Sequence, residues 1–276
     1  MIAHQKLIRE SHALEFDPLI AEKRALAVSL KNASVREIDN ATAKEVILKY
    51  EWLKSMGTTD FRFGLYFGEH LAGAVCFGRT AGTKTASSVC GPEYAHVVRT
   101  LTRGACVHWA HPHSASFLIS RACRLMAQKG IHVFIAYSDT EAGEIGTVYQ
   151  ACRWMYCGPT TKGSSMFVWP GKPVSSSARS ETVLGRIQLC MDGKSRDERL
   201  ISALTRVRTA DSGPYRTLCS RREMRARLVD AGFLFYETSP KHRYVHIVGE
   251  KRFQRELRRA LKWEVLSYPK RSVDMC

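Results

Sequence analysis

Apolar residues in this chain recur with two periods, one near 3.6 and one of 2, and their order outlines a mixed architecture. Asn40 to Tyr50 places Ala41, Val46, Ile47 and Tyr50 at helical spacing, which predicts an amphipathic helix that EWLKSMG then breaks. FRFGLYFGEHLAGAVCFGR predicts two strands joined by a tight Gly-Glu-His turn. HVVRTLTRGACVHW reads as a strand after a Gly/Ser/Thr-rich loop at Thr80 to Ser88. SASFLISRACRLMAQKG reads as a helix with a Ser cap, apolar Phe117, Leu118, Cys123 and Leu125, a late Lys129, and Gly130 as its stop. IHVFIAYSD is the next strand, TVYQACRWM the next helix, and MFVWP at 166–170 a strand that closes the sheet. Ahead of these lie helical character around Ile20 to Leu30 and a short strand at VREI.

Past this block the pattern loosens. GKPVSSSARSETVL is Ser/Pro-rich and reads as a linker. Helices are expected over Glu198 to Val207 and Ser220 to Ala231, then a strand pair, FLFYET and RYVHIVG, and a basic helix from Lys251 to Trp263. The expectation is an α/β (α+β) fold, a mixed central sheet flanked by helices with a basic α/β C-terminal extension. Its parts are a lead at 1–33, a main domain at 34–170, a linker at 171–184 and a basic region at 185–276.

Charge changes the picture. The 276 residues carry a formal +16, with 45% apolar residues, enough for a real core. Residues 1–170 balance to +5 and residues 171–276 to +11, so the polyanion signal is strongest toward the C-terminus. Nine scattered cysteines without a C-x-x-C pair fit a reducing compartment and argue against a disulfide framework. The first twenty residues hold no apolar core of signal-peptide type, and no run is long enough to span a bilayer. These features point to a soluble, cytoplasmic protein with no membrane span, whose partner is a polyanion, nucleic acid before an anionic membrane surface, and leave a homodimer open.

Several residues are placed to do chemistry. Tyr137, Ser138 and Asp139 end a buried strand, where loops in open α/β sheets gather polar groups, and Tyr149 opens the following helix. Asp139 suits a general base or a metal ligand, or else an Asx turn. Tyr149 suits an acid to a leaving thiolate, or a core aromatic. Glu51, at the end of the first helix, is a second candidate base, or a solvated helix end. Trp52 could stack on a base or belong to the core, and Tyr66 in the hairpin is a further catalytic candidate. His108, His111 and His113 have a spacing that could supply two nitrogen ligands, Asp139 adding a third, for iron or zinc; they could equally be cap residues. Ser114 and Ser116 open a helix whose free N–H groups suit phosphate, or they are merely N-caps. Lys241, His242, Arg243, Lys251, Arg252, Arg255, Arg258 and Arg259, interleaved with aromatics, predict a phosphate-backbone surface.

The order helix, hairpin, strand, helix, strand, helix, strand resembles the GNAT acyltransferase fold. There the start of the second helix would hold the pyrophosphate of acyl-CoA; the usual Gln/Arg-x-x-Gly-x-Gly/Ala loop is replaced here by Pro112 to Ser116. The Arg103 strand with Ser116 and Ser120, the AYSDTEAGEIGTVYQACRWMYCG block, and KHRYVHIVG with its basic helix and SYPKR end resemble the Mom-like DNA modification proteins of bacteriophages. That resemblance implies a GNAT-derived enzyme in the cytoplasm of an infected bacterial host. It would convert the exocyclic amine of adenine in DNA to a methylcarbamoyl derivative and so evade restriction, using acetyl-CoA or a related acyl-CoA, with iron as a further requirement. It puts Arg103, Ser114, Ser116, Ser120 and Arg121 on the cofactor side, and Asp139 and Tyr149 at the reaction centre, Asp139 deprotonating the amine of a flipped adenine. One departure is plain: the family's His-Tyr pair at the first helix end is here Tyr50-Glu51-Trp52.

Overall fold

The computed structural model describes residues 4–81, 84–161, 163, 165–168, 181–183, 226, 228–230 and 232–270. The chain divides into two compact units, Met1–Thr160 with Lys241–Cys276, and Thr161–Pro240.

The first unit is built on a seven-stranded sheet. In chain order its elements are α1 (His4–His12), α2 (Ile20–Leu26), β1 (Ala33–Glu37), α3 (Asn40–Tyr50), β2 (Phe61–Phe67), β3 (His70–Gly78), α4 (Thr85–Cys90), β4 (Val98–Cys106), α5 (Ser114–Ala127), β5 (Val133–Ser138), α6 (Thr147–Ala151) and β6 (Met155–Pro159). After the second unit, whose strands are β7 (Ser165–Val168), β8 (Glu181–Val183) and β9 (Leu234–Glu237), come β10 (His242–Ile247) and α7 (Lys251–Ala260). The helix, hairpin, strand, helix, strand, helix part of the expected order is present, with the short α4 inserted before β4; the strand that follows α6 is β6, which begins inside the stretch expected to be helical, and not MFVWP. Strands lie in the order β1-β2-β3-β4-β5-β10-β6. Neighbours are antiparallel except β4 and β5, which are parallel because α5 carries the chain back across the sheet between them.

Alternation along the strands divides the core in two. Phe134 and Ala136 of β5 join Phe63, Leu65, Phe67, Trp154 and Tyr244 in a cluster covered by α3 and α5. Val133 and Ile135 join Val98, Val245 and Leu257 in the cluster that packs against α4 and α7. The lead also has a structural task. Gln5 Nε2 donates to the Tyr50 carbonyl at 2.8 Å and His12 Nε2 lies 3.0 Å from the Lys49 carbonyl, occupying acceptors that the end of α3 leaves open. The residue that follows, Glu51, is fixed as a result.

Four expectations need correction. Thr80–Ser88 is not all loop: Thr85–Cys90 is helical, because Val89 and Cys90 bury fully in the second cluster and packing overrides a Ser/Thr-rich composition. MFVWP does not close the main sheet; β7 pairs with β8 and β9 in a separate three-stranded sheet. FLFYET and RYVHIVG are both strands but not a pair, since β9 joins β7 while β10 lies between β5 and β6. The basic region is therefore not one extension beyond a domain ending at 170: Lys241–Cys276 belongs to the first unit. Within the expected linker, Glu181–Val183 is a strand; its remaining residues, and the helix expected at Glu198 to Val207, lie outside the described residues. Of the helix at Ser220 to Ala231 only 226 and 228–230 are described, and these are helical.

In the second unit β8-β7-β9 is antiparallel, with Phe167 and Phe235 in ring contact at 5.2 Å.

Candidate active site where two parallel strands part

β4 and β5 pair only from Val98↔Val133 to Thr100↔Ile135. Beyond these residues β4 follows β3 through a bulge and β5 follows β10, so a gap opens between their carboxyl-terminal halves. Five titratable side chains from five segments gather around it.

Glu51 is the C-cap of α3, in extended conformation, and is 6% exposed. Its Oε2 accepts the Leu53 N–H at 2.8 Å and lies 4.0 Å from Arg103 Nε. Burial pushes its carboxyl up to about 7, against the opposing pull of Arg103, the Leu53 and Lys54 amides, and Lys241. Arg103, on β4, donates from Nε to the Ser55 carbonyl at 2.6 Å, from one terminal nitrogen to Ser55 Oγ at 3.0 Å, and from the other to the Thr102 carbonyl at 2.5 Å. It is thus fastened to the loop that follows α3 and faces Glu51 rather than the start of α5.

Asp139 follows β5. Its Oδ1 accepts the Glu141 N–H at 3.1 Å, the Asx turn weighed above, and its Oδ2 pairs with Lys241 Nζ at 2.5 Å. Its backbone carbonyl accepts from Ala142 and Glu144, which fixes the loop. Lys241 reaches this place because β10 pairs with β5 in a register that sets His242 against Ser138. The Thr160 N–H donates to the Lys241 carbonyl at 2.8 Å, and the Lys241 N–H donates to Thr160 Oγ1 at 3.0 Å.

Tyr149 is buried, with ring contacts to Trp154 at 5.2 Å and Tyr244 at 5.3 Å. Burial, with the negative fields of Glu144 and Glu51 among the lesser causes, holds its phenol well above the ordinary tyrosine range, so the hydroxyl keeps its proton at neutral pH. The Gly-x-x-Gly turn ahead of it is now explained: Gly143 and Gly146 have φ of 71° and 73°. A Cβ on Gly146 would also lie 2.3 Å from the Tyr244 ring. Tyr244 donates to the Ile145 carbonyl at 2.5 Å, and Gln150 Nε2 donates to Tyr244 Oη at 3.2 Å. Ser138 Oγ is buried without a partner among the described residues.

Other candidates are placed elsewhere. Tyr66 lies beneath the Arg36 guanidinium, 4.0 Å from its ring centre, at the hairpin end of β2, and it takes no part in the gap. Ser114 is the first residue of α5 and 1% exposed, its Oγ buried and unpartnered among the described residues; the N-cap is His113, not a serine. Ser116 Oγ donates to the His113 carbonyl at 3.0 Å, Ser120 neighbours Cys152, and Arg121 is exposed with its guanidinium over Phe117. The three histidines do not converge: His108 shares a 3.2 Å hydrogen bond with Tyr50 Oη, while His111 Nδ1 accepts the His113 N–H. Among the described residues no three His, Cys, Asp or Glu side chains are grouped to hold a metal ion, so the donors present do not fit iron. The seat at α5 fits an anionic cofactor only in part: the Ser114 and Phe117 N–H groups already donate to the His111 and His113 carbonyls, which leaves those of Ala115 and Ser116 beside the buried, unpartnered Ser114 hydroxyl of a fourteen-residue helix. Among the described residues, burial pushes the Cys76 thiol up to about 11 and that of Cys106 up to about 12, which keeps both protonated at neutral pH.

The predicted DNA surface splits. Lys251, Arg252, Arg255, Arg258 and Arg259 are exposed on α7. Lys241, His242 and Arg243 are half-buried in the sheet: Lys241 on Asp139, His242 on Tyr156 Oη at 2.8 Å, and Arg243 on the Cys157 carbonyl and over the Trp263 ring. Among the described residues no helix is long and apolar enough to cross a membrane.

Fold and site define a mixed α/β protein with an ionisable cleft between two diverging parallel strands. The Mom protein family matches residues 32–181, more than half of the 276, and the chain belongs to it. No curated protein matches. Among solved structures, an acetyltransferase from Bacillus subtilis in complex with CoA is similar at 8% identity, covering 79% of this chain and 99% of its own, with a TM-score of 0.37. A putative acetyltransferase from Salmonella typhimurium with acetyl-CoA is 12% identical, covers 53% of this chain and 87% of its own, and has a TM-score of 0.35. Both likenesses are distant, and nothing about the site rests on them.

Proposed function

We propose that this protein is a DNA-modifying acyltransferase that moves the acyl group of an acyl-CoA onto the exocyclic amine of adenine in double-stranded DNA. It would work in an infected bacterial host and shield the DNA from restriction. The observation that carries this reading is a carboxyl at Glu51 that is 6% exposed, stands 4.0 Å from Arg103 without a hydrogen bond to it and is held near 7, its charge reaching the buried phenol of Tyr149. A weakly nucleophilic amine needs a proton acceptor and a leaving thiolate needs a proton donor, and these two groups match that pair of needs. Family membership supports the same reaction class.

An acyl-CoA held by Ser114 and the opening turn of α5 would supply an activated carbonyl carbon. Residues of the chain do the rest. Arg103 and Lys241 hold the cleft positive enough to keep an anion there, Tyr149 holds a proton, and the Asp139 turn shapes the loop. A base inside a duplex cannot reach such a cleft, so the adenine is flipped out. The exposed cations of α7 grip the phosphate backbone.

Mass spectrometry of nucleosides from plasmid DNA prepared with the protein present tests the chemistry. Modified adenine is expected with the wild type and none with Tyr149→Phe; unmodified adenine in both would sink the enzyme reading. Replacing Arg252, Arg255 and Arg259 by Gln is expected to reduce the slope of log affinity against log salt by about 2–3. An unchanged slope would remove α7 from the DNA surface.

A further inference from the structure

We infer that Glu51, and not Asp139, takes the proton from the attacking amine, and that Lys241 is the positioning residue that withdraws Asp139 from that role. The inference rests on the reaction proposed above and assigns its acceptor.

The two carboxylates are held differently. Both Asp139 oxygens are engaged, Oδ1 by the Glu141 N–H and Oδ2 by Lys241 Nζ at 2.5 Å. A proton arriving at Oδ2 would have to break a charge-assisted contact and leave the Lys241 ammonium without its counter-ion. Asp139 is committed through both oxygens to Lys241 and to the turn that shapes the loop. Glu51 has no such clamp. Its nearest cation, Arg103, stands 4.0 Å away, beyond hydrogen-bond reach, and all three guanidinium nitrogens already donate to Ser55 or Thr102. Arg103 supplies a field without a bond.

The groups that face Glu51 come from every side. Arg103 comes from β4, Cys76 from β3, Tyr149 from α6 and Lys241 from the start of β10. Two are cations that lower its proton affinity, Cys76 and Tyr149 stay neutral, and burial outweighs the cations, leaving the carboxyl near 7. At neutral pH it is ionised in a large fraction of molecules and still basic enough to accept a proton, the balance a general base requires. Lys241 acts on both acids, bonding one and only biasing the other.

The step balances as follows. The adenine nitrogen bonds to the carbonyl carbon of the acyl thioester, and the amine proton passes to a Glu51 carboxylate oxygen. The carbon–sulfur bond breaks with its electron pair on sulfur, and the Tyr149 hydroxyl donates the proton that frees the thiol. A proton returned from Glu51 to Tyr149 restores both side chains.

The test is the pH profile of DNA modification by the full chain, with acyl-CoA and plasmid, for the wild type, Glu51→Gln, Asp139→Asn and Lys241→Met. The wild-type rate is expected to rise with an apparent pKa near 7 and then level. Glu51→Gln is expected to lose about 10²–10⁴-fold and the rising limb with it. Asp139→Asn and Lys241→Met are expected to be slower yet to keep a rising limb, displaced toward higher pH in Lys241→Met because a cation near Glu51 is gone. A limb that survives in Glu51→Gln and vanishes in Asp139→Asn overturns the assignment. Carbon-13 NMR titration of the free protein gives a second reading: a Glu51 carboxyl titrating near 7 supports it, and one near 4.5 overturns it. No modification by the wild type at any pH would overturn the proposed function itself, whereas modification by Glu51→Gln within about tenfold of the wild-type rate overturns only this assignment.

Discussion

Trp154→Ala is expected to destabilise the protein by about 3–5 kcal/mol, the cost of emptying a large aromatic site in a packed interior. Trp154 is fully buried, stacked on His246 at 5.3 Å with planes 7° apart, and in contact with Tyr149. It also ends α6. Arg153 holds a left-handed φ of 58°, unfavourable for a residue with a Cβ, and that conformation turns Trp154 under the sheet so that its N–H reaches the Tyr149 carbonyl at 3.0 Å. Without the indole, little keeps Arg153 strained or Tyr149 in place. Urea unfolding measures the loss, and Trp154→Phe, which refills much of the volume, is expected to recover at least half of it. A loss below about 1 kcal/mol for the alanine variant would show that the site collapses freely and does not brace Tyr149.

Glu51→Gln is expected to stabilise the folded protein at alkaline pH and leave it unchanged in acid. The carboxyl is raised from 4.5 to about 7 on folding, so the folded state holds the proton more tightly than the unfolded one. Below 4.5 both states are protonated and burial of the group costs nothing extra. Between 4.5 and 7 the unfolded state ionises first and stability drains away, and above 7 the full penalty stands. For a shift of this size it is about 3 kcal/mol, or roughly 5–10 °C in Tm for a chain of this length. Thermal melts of both proteins at pH 4.5, 6 and 8 should show curves that coincide at the first and separate progressively. A constant gap would mean that Glu51 is not held against its ionisation. The same substitution that abolishes the pH limb of the reaction is therefore expected to make a sturdier protein, as active-site strain predicts.

How far the residues could be read depended on whether a property was local. Short β-branched and aromatic apolar runs in IHVFIAYSD and RYVHIVG mark strands correctly, because such runs are written within each segment. Which sheet a strand joins is not so written. Tyr244 lies opposite Ala136, more than a hundred residues earlier, and nothing near either residue announces the other. MFVWP is as apolar a run as the strand-forming part of IHVFIAYSD, and only the long-range pairing decides which belongs to the main sheet. The site followed the same rule. Asp139, Tyr149, Glu51 and Arg103 could be singled out as polar groups at element ends. Lys241 was read as one cation in a basic run, since sequence charge does not say that the ammonium turns inward to Asp139 while Arg255 turns to water. Three histidines within six residues looked like ligands, yet closeness in sequence put one on Tyr50 and joined the other two to each other. Tyr66 is the counter-example: alternation in FRFGLYF already puts it on the face opposite Phe63, Leu65 and Phe67, away from the cluster beneath α3.

The seam between Thr160 and Lys241 bears on how such proteins diversify. The chain leaves the first unit and re-enters it at two residues that hydrogen-bond each other, so the ends of Thr161–Pro240 are already held together. The entropic cost of a longer excursion grows only with the logarithm of its length. A change of length between those ends therefore adds little to the entropic cost of bringing β10 back beside β5. What fixes Lys241 beside Asp139 is then the seam itself and the register of β10 on β5, not the length of the chain that runs between Thr160 and Lys241.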